Sequence, residues 1–208
     1  MTDFSDPGNQ TDSYLTLANQ SEGVFKDRGS KFLSFAYPAN SEEMIKSILI
    51  GLKKNHFDAS HHCYAWILGK DGKQVRCSDD GEPNHSAGDP ILGQIRSHQL
   101  TNVLLVVVRY FGGTKLGVSG LIQAYRTSAA LAIAENQIIR EWIKTSLEIQ
   151  FPYPALNEVM KVVKSQELEI TKQEMALDCR MNLSFRAGSI DSVRSKLKEI
   201  EGLQLLSD

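Results

Sequence analysis

The chain has 208 residues, 41% hydrophobic and 23% charged, with a formal net charge of −2, enough for one large or two small packed cores. That near-neutral balance excludes a global field for nucleic acid or membranes, so any such binding has to come from a local patch. Cys63, Cys77 and Cys179 form no CxxC and their odd number argues against a disulfide framework; with no apolar leader and no window of ~20 apolar residues, a reducing cytoplasm is the expected compartment and no membrane partner is expected.

Residues 1–11 are small, polar and turn-rich, and read as a loose terminus. Strand character begins at Tyr14 and continues through Val24, Phe25 and residues 32–37, with Lys26-Asp27-Arg28-Gly29-Ser30 as a hairpin tip. Lys26, Arg28 and Lys31 are cations that serve either a binding surface or solubility alone. Residues 40–54 are expected to be helical: Asn40 and Glu43 have capping-box spacing, and Met44, Ile45, Ile48, Leu49 and Leu52 make an apolar stripe. Residues 61–68, HHCYAWIL, alternate as a strand with His61, Cys63, Ala65 and Ile67 on one face. Zinc needs about four ligands and no second pair has matching spacing, so a packed thiol beside a hydrogen-bonded imidazole is the preferred reading.

Past the Asp71-Gly72 turn, residues 77–90 read CSDDGEPNHSAGDP and place Asp79, Asp80 and Glu82 within four positions. Such carboxylates can hold a hard cation such as Mg2+, pair with arginines or act as acid and base. Asp-Gly and Glu-Pro are also plain turn signals. Asp89-Pro90 is expected to cap and open a helix to about His98. Residues 102–108, NVLLVVV, predict a strand covered on both faces.

That strand opens the central stretch, residues 106–125, VVVRYFGGTKLGVSGLIQAY, whose helix is expected over 120–135. Between residues 90 and 134 there is no Asp or Glu, while Arg96, Arg109, Lys115 and Arg126 all fall there. Strand, glycine loop with cations, then helix is an order that brings amides and positive charge to an anion. The binding candidates are Arg96, Arg109, Tyr110, Gly112, Gly113, Lys115, Gly117, Gly120 and Arg126. Thr114 precedes Lys115, so the P-loop pattern fails, and the glycine spacing fails GxGxxG. No cofactor is implied, and the glycines permit close approach by a ligand or by a neighbouring strand.

The remaining chain reads as strand 142–151, helix 154–165, strands 168–172 and 177–185, helix 189–200 and strand 203–206. That order, βαββαβ, is the ferredoxin-like one. It has no histidine, and catalysis is not expected there.

Ser78-Asp79-Asp80-Gly81-Glu82-Pro83 running into Ala87-Gly88, together with Arg109-Tyr110-Phe111-Gly112-Gly113 followed by LG-x-x-GL and AY, resemble the paired signatures of the IMPACT family, bacterial YigZ type. His61-His62-Cys63-Tyr64-Ala65 matches that family's strand. His85-Ser86 departs from its usual Gly-Thr or Gly-Ser, Ser119 stands where Gly is usual, and Gln123 stands where a basic residue is common. The resemblance implies an α+β chain of two domains. Residues 1–139 would be ribosomal protein S5 domain 2-like, and 140–208 ferredoxin-like, resembling elongation factor G domain V. Because the two folds follow one another in that factor, contact with RNA, DNA or a ribosome-associated partner is implied by analogy. Eukaryotic relatives, which carry a further attached domain, are linked to a kinase pathway that restrains translation initiation.

Two functions follow as expectations. One is a non-enzymatic binding and regulatory protein that contacts nucleic acid or the translation machinery through the basic glycine-rich surface. The other is an enzyme on a phosphorylated or anionic small molecule, with Asp79, Asp80 and Glu82 beside Arg109. A structural pairing of the acidic loop with Arg109 accounts for the same residues.

Overall fold

A computed structural model describes residues 12–206; the loose terminus expected over residues 1–11 lies outside the described residues. The chain is α+β and divides into two compact units. One is Tyr14–Glu141, and the other runs from Trp142 onward with Asp12 and Ser13 joined to it.

The first unit contains, in order, β1 (Ser13–Leu17), β2 (Ser21–Asp27), β3 (Ser30–Pro38), α1 (Glu42–Asn55), β4 (His61–Leu68), β5 (Gln74–Ser78), α2 (Gly88–Ser97), β6 (Val103–Tyr110), α3 (Gly117–Ala134) and β7 (Ile138–Trp142). Five strands form a sheet in the order β2-β3-β6-β4-β5, antiparallel throughout. Strands β1 and β7 form a separate pair.

β6 is central, and its alternation explains its unbroken apolar run. Val103, Leu105 and Val107 pack with Ile91 and Ile95 of α2 and Tyr125 and Ala129 of α3. Leu104, Val106 and Val108 pack on the other face with Ile45 and Leu52 of α1. Both faces are covered, as the sequence predicts.

Local starts differ from expectation. The cap of α1 is Ser41, whose hydroxyl accepts from the Met44 N–H at 3.2 Å, one residue beyond Asn40. Helix α2 begins at Gly88, so Asp89 lies in its first turn and does not cap it. Helix α3 begins three residues before Gly120, at Gly117. β5 has no apolar alternation because it is a largely exposed edge strand, and for that reason its sequence carries no strand signal.

The second unit contains β8 (Lys144–Pro152), α4 (Leu156–Ser165), β9 (Glu169–Glu174), β10 (Asp178–Arg186), α5 (Ile190–Lys198) and β11 (Gln204–Leu205). The strand order β11-β8-β10-β9 is the ferredoxin-like arrangement. Leu147, Ile149 and Phe151 of β8 and Met181 and Leu183 of β10 meet Val159, Val193 and Leu197 of the helices. The single strand expected over 142–151 is two strands, separated at Ile143, whose N–H donates to the Asp12 carbonyl and whose carbonyl accepts from Ala187. Among the described residues, no helix is long and apolar enough to cross a membrane.

Candidate functional site

The alternation that buries Val103, Leu105 and Val107 carries Arg109 to the same face of the sheet. On either side of it in register stand Phe32 of β3 and His61 of β4. A guanidinium at this place, 5% exposed, requires a counter-charge, because an unpaired buried charge is very costly.

Glu82 supplies that charge. Its Oε1 accepts from Arg109 Nη1 at 2.6 Å and from the Tyr125 hydroxyl of α3 at 2.7 Å. The two charged side chains are 6% and 4% exposed. Cys63 donates to the Tyr125 oxygen at 3.4 Å and to the Asp79 carbonyl at 3.0 Å. Phe32 meets Tyr125 edge-on with ring centroids 5.2 Å apart, and the guanidinium lies over the Phe32 and Phe111 rings at 5.5 and 5.4 Å. Burial first, then Cys63 and Glu82, raises the Tyr125 hydroxyl well above its ordinary range. It therefore stays protonated and serves Glu82 as a donor. Burial likewise raises the Cys63 thiol, so it is a packed neutral group and no nucleophile.

The acidic segment thus divides its labour. Asp79 Oδ1 accepts from the Ala87 and Gly88 N–H groups at 2.9 and 2.8 Å, and Oδ2 from the His85 N–H at 2.9 Å. It therefore closes the start of α2 from outside the helix, the part expected of Asp89. Asp80 Oδ2 accepts from the His62 N–H at 2.7 Å, and Oδ1 meets Lys53 Nζ at 3.3 Å. Only Glu82 turns toward Arg109. Among the described residues, no group of three or more His, Cys, Asp or Glu side chains is placed to hold a metal ion.

The usual glycine of the resembled family at position 85 also has a geometric counterpart, since His85 takes φ +64°. That left-handed backbone costs an L residue about 1–2 kcal/mol. His85 Nδ1 lies 2.6 Å from Asp89 Oδ2, and Asp89 also accepts from the Cys77 thiol at 3.3 Å. Burial, then Asp89, pushes that thiol up to about 11, which removes it from the reactive cysteines.

In the glycine loop, Gly112 lies against the hairpin tip. A Cβ there would fall 1.9 Å from the Gly29 carbonyl carbon and 2.2 Å from Ser30 N. The close approach at Gly112 is therefore to a neighbouring strand. Gly113 and Gly117 have φ of +86° and +73°, and a side chain on Gly120 would start 3.1 Å from the Leu116 Cβ.

Beside the buried pair is a pocket of about 520 Å3, lined by Ser60, His61, Glu82, Pro83, Arg109, Phe111, Lys115, Leu116, Gly117, Val118 and Leu121. Apolar walls with a few convergent polar groups are what small-ligand sites share. Of the sequence candidates, Arg109, Lys115, Gly117 and Glu82 meet here. Tyr110 points to the α1 side, where its hydroxyl lies 2.9 Å from His56 Nδ1. Arg96 is exposed in the last turn of α2, and Arg126 is exposed nine residues into α3, roughly 13 Å along the axis from the loop.

The pocket also uses residues that the sequence reading passed over. In sequence His61 reads as a packing residue, and Phe111 and Val118 are not among the binding candidates. A buried tyrosine hydroxyl needs a partner, so Tyr125 in an otherwise apolar stripe was a signal for a polar group beneath α3. Phe111, an aromatic at a strand exit directly before glycines, was another.

The Impact N-terminal domain family matches residues 28–133. An IMPACT family member of Haemophilus influenzae is 32% identical over 189 residues, covering 88% of this chain and 91% of that protein. The IMPACT family member YigZ of Escherichia coli is 28% identical over 200 residues, covering 94% and 98%. A crystal structure described as that of a hypothetical protein, 28% identical, superposes with a TM-score of 0.73 over 95% of this chain and 98% of that one. On the extent of these matches, the chain belongs to the IMPACT family.

Proposed function

We propose that the chain is a non-enzymatic binding and regulatory protein whose first unit contacts nucleic acid at the translation machinery. One observation carries the reading. Lys26, Arg28 and Lys31 of the β2–β3 hairpin and Lys115 of the glycine loop are exposed, and among the described residues none has a carboxylate within ion-pair distance. Gly112 packs on Gly29, so Arg28 at the hairpin tip and Lys115 on the loop stand on adjoining backbone, while Lys26 and Lys31, in register with each other and with Tyr110, lie on the α1 face. Unpaired cations on adjoining loops suit phosphates, which such contacts position without reading sequence. The family resemblance supports a translation-related partner.

The acidic segment favours binding over catalysis, because Asp79 and Asp80 are engaged by backbone amides and Glu82 by Arg109 and Tyr125.

Fluorescence anisotropy of a mixed RNA pool with the full chain tests the reading. Affinity is expected to fall steeply with salt, and Lys115→Ala and Arg28→Ala are each expected to reduce the log–log slope by about one. Affinity independent of salt between low and moderate concentration would refute phosphate contact.

A further inference from the structure

The pocket beside the cations has a chemical bias of its own. Its apolar side includes Phe111 and Val118, which keep 49% and 54% of their surface exposed. Apolar groups left open at the rim of a pocket offer a surface that a ligand can cover. Arg109 lies over the Phe111 ring, so the ring is held in place while half of it remains open to another planar group.

The polar side of the pocket sets acceptors beside the Arg109 and Lys115 donors. His61 Nδ1 lies 2.8 Å from the Asp80 carbonyl oxygen, which can only accept, so Nδ1 carries the hydrogen and Nε2 of the neutral ring is an acceptor. That Nε2 lies 3.9 Å from Glu82 Oε1. Both hydrogen bonds that Glu82 takes from side chains fall on Oε1. Among the described residues no donor reaches Oε2, and that oxygen is not fully buried, on a side chain that lines the pocket. A planar ligand here meets two acceptors on its edge and an aromatic ring on its face. Lys115 lies at the same pocket for a phosphate.

We propose that this pocket takes one unpaired, amino-bearing nucleobase of a single-stranded nucleic acid, stacked on Phe111, with its amino edge toward Glu82 and His61 and a flanking phosphate on Lys115. The proposal rests on the nucleic-acid reading above and narrows it to a strand form and a base class. Adenine, cytosine and guanine present exocyclic amino donors. Uracil presents carbonyl oxygens on either side of one N–H and sets them against acceptors, which leaves polar groups unpaired. A duplex keeps its bases stacked and paired, and so cannot fill the pocket without flipping one out.

The test is anisotropy of fluorescein-labelled short oligoadenylate, oligocytidylate, oligouridylate and an RNA duplex with the full chain at low salt, followed by Phe111→Ala. Oligoadenylate and oligocytidylate are expected to bind about fivefold or more tighter than the duplex, the lower bound set by one base–aromatic stack, and about fivefold or more tighter than oligouridylate, the lower bound set by one base-edge contact. Phe111→Ala is expected to erase the margin over the duplex while the salt-dependent remainder persists; Trp66 emission, read in a Trp142→Phe background, checks that the variant is folded. Equal affinity for adenylate and uridylate, equal affinity for duplex and single strand, or an unchanged margin over the duplex in folded Phe111→Ala overturns the pocket and leaves nucleic-acid binding standing. Displacement by free AMP at the oligonucleotide's own concentration overturns it as well, in favour of a free-nucleotide site. Absence of binding to any RNA overturns both readings together.

Discussion

The two units solve the burial of charge in opposite ways. In the first, an arginine and a glutamate lie within the sheet-to-helix interface at 6% and 4% exposure. In the second, the buried cluster is apolar, and the ion pairs of Lys144 with Glu169 and of Lys172 with Glu174 leave all four side chains 60% exposed or more. Burying a charge is costly even when it is paired, and well-packed hydrophobic residues of equal volume are often as stable. The ferredoxin-like unit follows the cheaper route. The first unit uses the costly one where an irregular loop, residues 79–87, is held against the end of β6.

The sharpest way to break that comparison is Arg109→Gln. It leaves Glu82 buried with only the Tyr125 donor, and removing one partner of such a pair costs about 3–5 kcal/mol. Urea unfolding followed by Trp66 fluorescence in a Trp142→Phe background reads the first unit, because Trp66 is in its core at 6% exposure. Hydrogen exchange of the β10 amides is expected to remain unchanged. A cost below about 1 kcal/mol would place the pair with ordinary surface bridges and remove the contrast between the units.

Next in size is Asp79→Ala. Its carboxylate holds three N–H groups, those of His85, Ala87 and Gly88, and lost caps cost about 0.5–2 kcal/mol, with the high end expected where buried donors are orphaned. Asp79→Asn keeps one acceptor oxygen and is expected to cost less than Asp79→Ala. If both variants unfold at the wild-type urea concentration, Asp79 is not what starts α2.

How far the sequence went follows from which interactions are local. The alternation of β4 and β6 was legible, since period-two patterns report the faces of a strand directly, and the βαββαβ order of the second unit was legible because each element has its own apolar stripe. The starts expected at Asn40 and Asp89 differ from the structure because caps depend on one hydrogen bond, whereas α3 starts at Gly117 with no side-chain cap bond at all. At α2 the bond comes from Asp79, eight residues upstream of the Ala87 N–H that it meets. The pairing of the acidic loop with Arg109 was open as one of several readings. What the sequence did not indicate was that one carboxylate of three would turn inward, and that His61 and Phe111 would border it. His61 and Arg109 are 48 residues apart in sequence but face each other in register, a relation that only strand pairing creates.

A smaller effect is expected with pH. Burial, opposed in part by the Asp80 charge, lowers the His62 pKa below its ordinary value. Its Nε2 lies 3.1 Å from the His56 carbonyl, and Lys53 and His56 are the other charged or titratable groups that act on it. With the folded value below the unfolded one, the unfolded chain binds more protons in the window between them. Stability therefore rises with pH there, is complete above about pH 6.5 and declines as the pH falls below it. The urea midpoint of the first unit should decrease on acidification through that window, and His62→Gln should flatten the decrease. An identical slope in the variant would assign the acid sensitivity to other groups.

The smallest effect falls in the second unit. Lys172 Nζ lies 2.9 Å from Glu174 Oε1, and that hydrogen bond lowers the Glu174 pKa. A depressed carboxylate contributes stability that is present above its unfolded value and is lost as the pH falls through the folded one. Both groups are in water, however, where the attraction is screened and holding two long side chains together costs entropy. Lys172→Ala is accordingly expected to leave the unfolding midpoint of the second unit unchanged in low and in high salt. A salt-dependent loss of stability would mean that the open face of this sheet is held by its charges, and the division between a unit that buries its ion pair and one that leaves them in solvent would no longer describe where each gets its stability.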